Sequence, residues 1–166
     1  MVCKYKLKVG KLKGKPMSDV RAPVRSAANE TQPTQVVFDR YLAAWAARDP
    51  ARIASLHSDD TSFWMHDGTS RIFGRKAVEQ HFAGIFARYP GFGFDVYRSL
   101  IADKHWVLDW ALKIEMTGND GKKVQIRIDM LDVVDINEAG EVVRKDTFYD
   151  ASQALAVPVQ VGNLTP

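Results

Sequence analysis

One carboxylate interrupts an otherwise apolar strand pattern in the last third of the chain. Alternate residues from Ile126 to Ile136 are aliphatic or Met130, except for Asp132 in their middle. A buried charge is costly unless it is paired or has a chemical role. The pattern therefore indicates Asp132 as a candidate catalytic residue.

The turn sequence Asn137-Glu138-Ala139-Gly140 is predicted to join this strand to the next in a hairpin. If Asn137 and Gly140 flank the turn, three pairs face each other on the inner side: Asp132 with Lys145, Met130 with Thr147, and Ile128 with Tyr149. Two interpretations stay open for the cluster around Asp132. It is either a reactive group in a pocket or a neutralised Asp–Lys pair in a solid core.

Hydrophobic periodicity and turn residues predict the elements that position this hairpin. Helices are expected over residues 34–48, 50–57 and 76–89, and strands over 59–67, 71–73, 92–100, 105–116, 122–136 and 141–150. Three amphipathic helices facing successive hairpins predict an α+β fold in which a curved antiparallel sheet wraps around the helices. The last residues show no helical period, and an edge strand through Val157, Val159 and Val161 is the alternative to a tail.

Charge is distributed unevenly along the chain. The formal charge is +3, but residues 1–16 hold six lysines and no acid, so the remaining residues carry −3. We therefore expect three segments: a basic leader and flexible linker (1–33), a folded domain (34–155) and a C-terminal tail (156–166). Met17-Ser18-Asp19 resembles a second start, which favours a vector remnant or an overextended reading frame as the leader, with a basic arm for anionic partners as the alternative.

Several function classes are not predicted. The acidic body argues against nucleic-acid binding, and there is no apolar run for a signal or a membrane span. The only cysteine, Cys3, is compatible with the cytoplasm and excludes an internal disulfide. No metal motif, phosphate loop or nucleophile elbow is present in the sequence, so no metal and no cofactor is predicted.

Five short segments carry a family resemblance: Tyr41 to Asp49, Ser58-Asp59-Asp60, Phe73 to Val78, Asp129 to Val133, and Asn137 to Val142. Together they resemble the nuclear transport factor two-like superfamily, in its SnoaL-like and ketosteroid-isomerase-like branch. The resemblance implies a cone-shaped, cystatin-like α+β barrel with a deep pocket between sheet and helices. It also implies a homodimer through the outer sheet face, where Leu131, Val133, Val107 and Ala111 are predicted to lie.

The resemblance also suggests roles for individual residues. The two oxyanion donors of ketosteroid isomerases match Tyr41 and Asp132, whereas their general base matches Met65, and a slip of one or two residues offers His66 or Asp67. Lys145 stands where that family has an apolar residue, and an ammonium there would keep Asp132 ionised, unlike the isomerase acid. In the dehydratases and cyclases of the superfamily a pocket histidine or aspartate moves the proton.

These considerations predict a set of site residues. The catalytic candidates are Asp132, Tyr41 and His66, and the predicted pocket residues are Trp64, Met65, Phe82, Trp110, Met130, Lys145, Thr147 and Tyr149. The first functional hypothesis is cofactor-independent acid–base chemistry on a hydrophobic small molecule, of the isomerase, dehydratase or polyketide-cyclase type. The second is a non-catalytic small-molecule-binding or dimerisation domain of the same fold.

Overall fold

The computed structural model describes residues 33–160, and the predicted leader and Val161 lie outside this range. In chain order the elements are α1 (Pro33–Ala46), α2 (Pro50–Ala54), β1 (His57–Met65), β2 (Ile72–Phe73), α3 (Arg75–Arg88), β3 (Gly93–Ile101), β4 (His105–Thr117), β5 (Lys123–Ile136), β6 (Val142–Tyr149) and α4 (Ala151–Gln160).

The strands form one curved, open sheet in the order β2-β1-β6-β5-β4-β3. The three predicted hairpins pair β3 with β4, β4 with β5, and β5 with β6, all antiparallel. β1 runs parallel to β6 and antiparallel to β2, so the sheet is mixed. The predicted α+β class, with a curved sheet around N-terminal helices, is confirmed.

The core lies between the inner face of the sheet and the helices. Every second residue of β5 from Ile126 to Ile136 is buried, as its alternation predicts. Phe38 and Tyr41 of α1 each pack against Trp106 of β4, with ring centroids 5.6 Å apart. Aromatic rings thus fix α1 across the centre of the sheet.

The register of the β5–β6 hairpin differs from the prediction by two residues. Asp132 pairs with Thr147, and Val134 with Lys145, because the strands shift past one another between Asp135 and Ile136. The turn also contributes: Gly140 has a φ of +75°, and the amide of Asn137 donates to the carbonyl oxygen of Glu141. A two-residue slip leaves each side chain on its predicted face.

Residues 151–160 form a helix where a tail or an edge strand was expected. Asp150 caps this helix, since its Oδ1 accepts hydrogen bonds from the backbone amides of Ser152 (2.8 Å) and Gln153 (3.1 Å). The Gln153 side chain then ties α4 to Asp129 of β5 through a 2.8 Å hydrogen bond. Capping and tertiary contact stabilise a helix whose composition carries little helical signal.

Candidate functional site

A cavity of about 280 Å³ opens between the inner sheet face and helices α1 and α3. Most of its wall is apolar, with tryptophans from α1 and β4 and aliphatic residues from β4 and β5: Trp45, Trp106, Trp110, Leu108, Ile128 and Met130. Exposed Asp67 lies at its rim, so the cavity reaches solvent. Such a wall suits a hydrophobic ligand of modest size.

Four buried polar side chains also line this cavity: Tyr41, Asp132, Lys145 and Thr147, each at most 4% exposed. The Thr147 hydroxyl donates to Oδ1 of Asp132 at 2.7 Å, and the Lys145 ammonium contacts Oδ2. Lys145 Nζ also lies 5.6 Å from the ring centroid of Trp45. The carboxylate of Asp132 is therefore oriented through both of its oxygens.

Burial shifts the pKa values of Lys145 and Tyr41. Burial lowers the pKa of Lys145, while the negative charge of Asp132 opposes that change. Burial raises the pKa of Tyr41, and the charge of Asp132 raises it further. The Tyr41 hydroxyl consequently keeps its proton at neutral pH.

His57 is a residue of this site that the sequence interpretation left aside. It is fully buried, with Nε2 2.9 Å from the Tyr41 hydroxyl and Nδ1 2.9 Å from the Thr61 hydroxyl. Burial lowers the pKa of His57 to about 3, assisted by the positive charges of Lys145 and Arg75. A neutral imidazole thus connects Tyr41 to Thr61.

The tautomer of His57 decides what Tyr41 can do. If Nε2 carries the hydrogen and donates to the Tyr41 oxygen, the Tyr41 hydroxyl is free to donate into the cavity and Nδ1 accepts from Thr61. In the other tautomer the Tyr41 hydrogen points to His57. His57 is therefore a positioning residue for Tyr41.

A sequence signal for His57 exists. Thr61 and Phe63 are buried at alternate positions of β1, and the same alternation leads back to His57. A register shift between His57 and Ser62 interrupts the pattern, and the helix predicted over 50–57 ends instead at Ala54.

Eight predicted site residues line the cavity together: Tyr41, Met65, Trp110, Met130, Asp132, Lys145, Thr147 and Tyr149. The shared face follows from strand alternation on β1, β4, β5 and β6 together with the stripe of α1. Most of the site residues chosen from sequence periodicity therefore lie around one cavity.

Three predicted residues lie elsewhere. His66 and Trp64 are outside the cavity, because β1 alternation turns Phe63 and Met65 inward, and the His66 ring stacks on Phe148 at 3.8 Å. Phe82 is fully buried in the core between Trp45 and Phe63, at ring-centroid distances of 4.8 and 5.2 Å, behind the cavity wall.

Asp67 occupies the mouth of the cavity. Its Oδ1 accepts hydrogen bonds from the Thr69 amide (2.9 Å) and hydroxyl (2.6 Å). Burial alone would raise the pKa of Asp67, but these hydrogen bonds prevail and lower it. Asp67 therefore presents a carboxylate at the rim, two positions after Met65.

A second buried carboxylate lies on the outer face of the hairpin. Asp146 is 3% exposed, and its oxygens accept hydrogen bonds from Arg71 (2.8 Å) and from Nε of Arg144 (3.0 Å). The Arg71 guanidinium also lies over the Trp64 ring, 5.0 Å from its centroid. His66 Nε2 is 3.8 Å from Asp146. This group (Asp146, Arg71, Arg144, Trp64, His66) is termed the outer cluster.

Within residues 33–160, no three histidine, cysteine or acidic side chains are grouped so as to hold a metal ion. The same part of the chain contains no helix long and apolar enough to cross a membrane.

The sequence profile of the SnoaL-like domain matches residues 38–145, more than half of the chain. The chain belongs to the SnoaL-like family. No curated protein matches this SnoaL-like chain in a sequence search.

Solved structures share the fold of this SnoaL-like chain at low sequence identity. A Shewanella putrefaciens CN-32 protein, proposed to be a SnoaL-like polyketide cyclase, has a TM-score of 0.67 at 14% identity, covering 90% of this chain and all of that one. A hypothetical protein with a ketosteroid-isomerase-like fold from Catenulispora acidiphila, in complex with trimethylamine, has a TM-score of 0.64 at 18% identity, covering 78% of this chain and 97% of that one.

A third similar structure is AclR from Streptomyces galilaeus, proposed to be a hydroxylase. Its TM-score is 0.63 at 14% identity, with 80% of this chain and 87% of that chain covered. These likenesses confirm the predicted nuclear transport factor two-like fold. The different activities proposed for these proteins show that the fold alone does not fix the reaction.

Proposed function

We propose that this SnoaL-like chain catalyses proton transfer on a hydrophobic carbonyl compound, as in an isomerase, a dehydratase or a polyketide cyclase, without a cofactor. The observation that carries the proposal is the carboxylate of Asp132, buried beside Lys145 and facing an apolar cavity that reaches solvent. A carboxylate removed from water acts more strongly on a neighbouring C–H group than an exposed one.

Each polar residue of the cavity has a distinct role in this proposal. Asp132 accepts a proton from the carbon next to the carbonyl group and returns it at another position, while Lys145 and Thr147 orient its oxygens. Tyr41 donates a hydrogen bond to the carbonyl oxygen, where negative charge develops. Its raised pKa keeps that proton on Tyr41, and the proposal requires the His57 tautomer in which Nε2–H donates to the Tyr41 oxygen and leaves the hydroxyl hydrogen free for the cavity.

This assignment differs from ketosteroid isomerases at Asp132. An aspartic acid that donates a hydrogen bond must be protonated, whereas Asp132 receives hydrogen bonds from an ammonium and a hydroxyl. We therefore assign the donor role to Tyr41 and the base role to Asp132. The polyketide cyclase proposed for the Shewanella putrefaciens relative is consistent with carbonyl chemistry in this fold.

A second candidate function is ligand binding without catalysis. Binding without catalysis is favoured by the pairing of both Asp132 oxygens. A carboxylate that accepts hydrogen bonds on both oxygens is a weaker proton acceptor than a free one. In that case the pair closes the inner end of a binding cavity and stabilises the hairpin.

A ligand screen separates the two candidates. Steroids, aromatic polyketides and terpenoid ketones are tested for a rise in Tm, because a ligand at 100 times its Kd stabilises the folded state by about 2.7 kcal/mol. Stabilising compounds are then incubated with the protein and examined by mass spectrometry and NMR for a changed structure. The matched control is Ile128→Trp, which fills the cavity from β5.

The outcomes are distinct. A compound that is converted by the wild type and unchanged by Asp132→Asn supports the proposed catalysis. A compound that binds the wild type, is excluded by Ile128→Trp and is never converted supports binding alone. No stabilisation by any carbonyl compound contradicts both candidates.

A homodimer through the outer sheet face remains part of this proposal. Large apolar side chains are exposed on that face, among them Leu100 (60%), Phe148 (39%) and Leu131 (36%). Light scattering after size-exclusion chromatography should give twice the chain mass for the wild type and a single chain mass for Leu131→Lys. A monomeric wild type contradicts the dimer.

A further inference from the structure

Lys145 is placed unusually for a lysine. Its side chain is 4% exposed and lines the cavity, between the carboxylate of Asp132 and the ring of Trp45. Lysine is almost never fully buried unless it is paired. Apolar residues at positions 132 and 145 together would avoid the desolvation of both charges, so the pair keeps an ammonium at the cavity at a cost in free energy.

The hydrogen bonds of Lys145 leave its nitrogen only partly satisfied. An ammonium has three N–H groups, and within the described residues Nζ makes one hydrogen bond, to Asp132. Trp45 adds the face of an aromatic ring. The partner carboxylate is itself a group that can receive the ammonium proton.

Other lysines of the described chain have different surroundings. Lys113 is paired with Asp95 at 2.6 Å, and both side chains are nearly half exposed. Lys123 pairs with Glu115 at a side-chain exposure of 70%. Water stabilises the charge on these ammonium groups, whereas burial lowers the pKa of Lys145 against the opposing effect of Asp132. Lys145 is thus a buried lysine that lines the cavity, with a carboxylate in contact that can accept its proton.

We propose that Lys145 forms a Schiff base with ketones or aldehydes that enter the cavity. The inference rests on the proposed function, whose carbonyl substrate class it defines further, and it adds a covalent step in which the carbonyl carbon is the electrophile.

The step balances with the groups present. Asp132 takes one proton from the Lys145 ammonium, and the amine lone pair adds to the carbonyl carbon as the C=O π pair moves to oxygen. A second nitrogen proton moves to that oxygen, and Asp132 returns its proton as the oxygen leaves as water. The product is a C=N⁺–H iminium on Lys145 beside the restored carboxylate. The iminium then withdraws electrons from the neighbouring C–H bond, which Asp132 can deprotonate.

The test is reductive trapping in the full-length protein. The protein is incubated with benzylacetone, an apolar aryl ketone, and sodium cyanoborohydride, and is then analysed by intact mass and peptide mapping. Reduction of the Schiff base adds the mass of the ketone less one oxygen atom. We expect one adduct, on Lys145, formed about tenfold faster than on any exposed lysine.

Two variants control the result. Lys145→Arg retains a cation beside Asp132 but has no amine that forms a Schiff base, so its adduct should be absent while Tm stays within a few degrees of the wild type. Lys113→Arg removes an exposed lysine and should leave the Lys145 adduct unchanged. The rate for the wild type should rise with pH earlier than labelling of exposed lysines, because the pKa of Lys145 is lowered.

Adducts spread over the exposed lysines, or trapping that persists in Lys145→Arg, would overturn the inference. A ketone that binds and exchanges its hydrogens in Lys145→Arg as in the wild type, with no adduct on Lys145, would overturn the Schiff base and leave the proposed function standing. A protein that neither binds, exchanges nor traps any ketone would contradict both.

Discussion

Asp132 and Asp146 are two buried carboxylates of one hairpin that face opposite sides of the sheet. Asp146 is held by two guanidinium groups whose side chains are partly exposed, Arg71 at 22% and Arg144 at 52%. Asp132 is held by an ammonium that is itself buried, and it faces a cavity. The outer carboxylate is thus paired with cations that reach solvent, and the inner one with a buried cation beside a cavity, where we propose that it reacts.

The difference lies in how each charge is stabilised. Burial would raise the pKa of Asp146, but hydrogen bonds from Arg144 and Arg71 lower it, so the outer cluster simply stays ionised. On the inner face burial acts against the charge of Lys145. Burial therefore opposes the lysine charge at the cavity, whereas guanidinium hydrogen bonds stabilise the carboxylate charge at the outer cluster.

The largest expected effect concerns turnover. Asp132→Asn should reduce conversion of a substrate found by the ligand screen by about 100-fold or more, since the amide cannot take up the proton. Asp146→Asn should leave the rate within about threefold, because its carboxylate does not face the cavity. Steady-state kinetics on both variants at a temperature where each is folded check this contrast. Equal losses would remove the distinction between the two faces.

The next effect concerns stability. Lys145→Met leaves Asp132 buried without its cation and should lower the free energy of unfolding by about 3 kcal/mol. The double variant with Asp132→Leu should recover most of that loss, since no charge is then buried. Arg144→Met, one residue earlier, should cost less than about 1 kcal/mol because Arg144 is half exposed and Asp146 keeps Arg71.

Urea unfolding of the four proteins measures these differences. If the double variant is as unstable as Lys145→Met, the loss of stability comes from the missing packing of these side chains and not from an unpaired charge on Asp132.

A cavity-filling pair tests which face binds the ligand. Ile128→Phe adds volume to the cavity wall and should weaken binding of a screened ketone by about tenfold. Leu131→Phe adds the same ring to the outer face of β5 and should leave Kd unchanged. Isothermal titration calorimetry gives both values. Weaker binding in Leu131→Phe alone would place the ligand on the outer face.

The smallest effect is a pH dependence of folding. Because the pKa of His57 is about 3 in the folded protein and about 6.5 when unfolded, the unfolded chain binds more protons between these values. Stability should therefore be complete above pH 6.5 and fall by roughly 1 kcal/mol per pH unit as the pH drops below it. The window from pH 6.5 to 5 lies above the range in which aspartates protonate.

His57→Gln should flatten the stability profile in that window. The control is His81→Gln. Burial also lowers the pKa of His81, but the charge of Asp67 opposes this change and the side chain is only half-buried. Denaturant unfolding between pH 7 and 5 measures the slopes. An unchanged slope in His57→Gln would mean that His57 is protonated in the folded protein.

The sequence predicted those features that depend on side-chain alternation. The inner face of β5, with Asp132 among aliphatic residues, follows from a period of two, and so does its proximity to Lys145 and Thr147. A register error of two residues did no harm, because it preserves the face. The fold class followed from the order of elements and from the family resemblance.

The features that the sequence did not predict depend on local irregularity of the strands and on tertiary contacts. His57 lies before a register shift in β1, so its burial beside Tyr41 does not appear in a regular pattern. A one-residue slip from Met65 predicted His66 in the pocket, but strand alternation turns its side chain outward toward Phe148. Helix α4 is stabilised by the Asp150 cap and the Gln153–Asp129 contact. Neither interaction can be predicted from hydrophobic periodicity.

Hydrogen exchange into a bound ketone tests the central claim most directly. A stabilising ketone is incubated with the protein in D₂O, and deuterium at the carbons next to its carbonyl group is followed by NMR. We predict incorporation well above the buffer rate with the wild type and with Asp146→Asn, and incorporation at the buffer rate with Asp132→Asn. A wild-type protein that binds the ketone without exchange, or exchange that survives in Asp132→Asn, would contradict the assignment of Asp132 as the base.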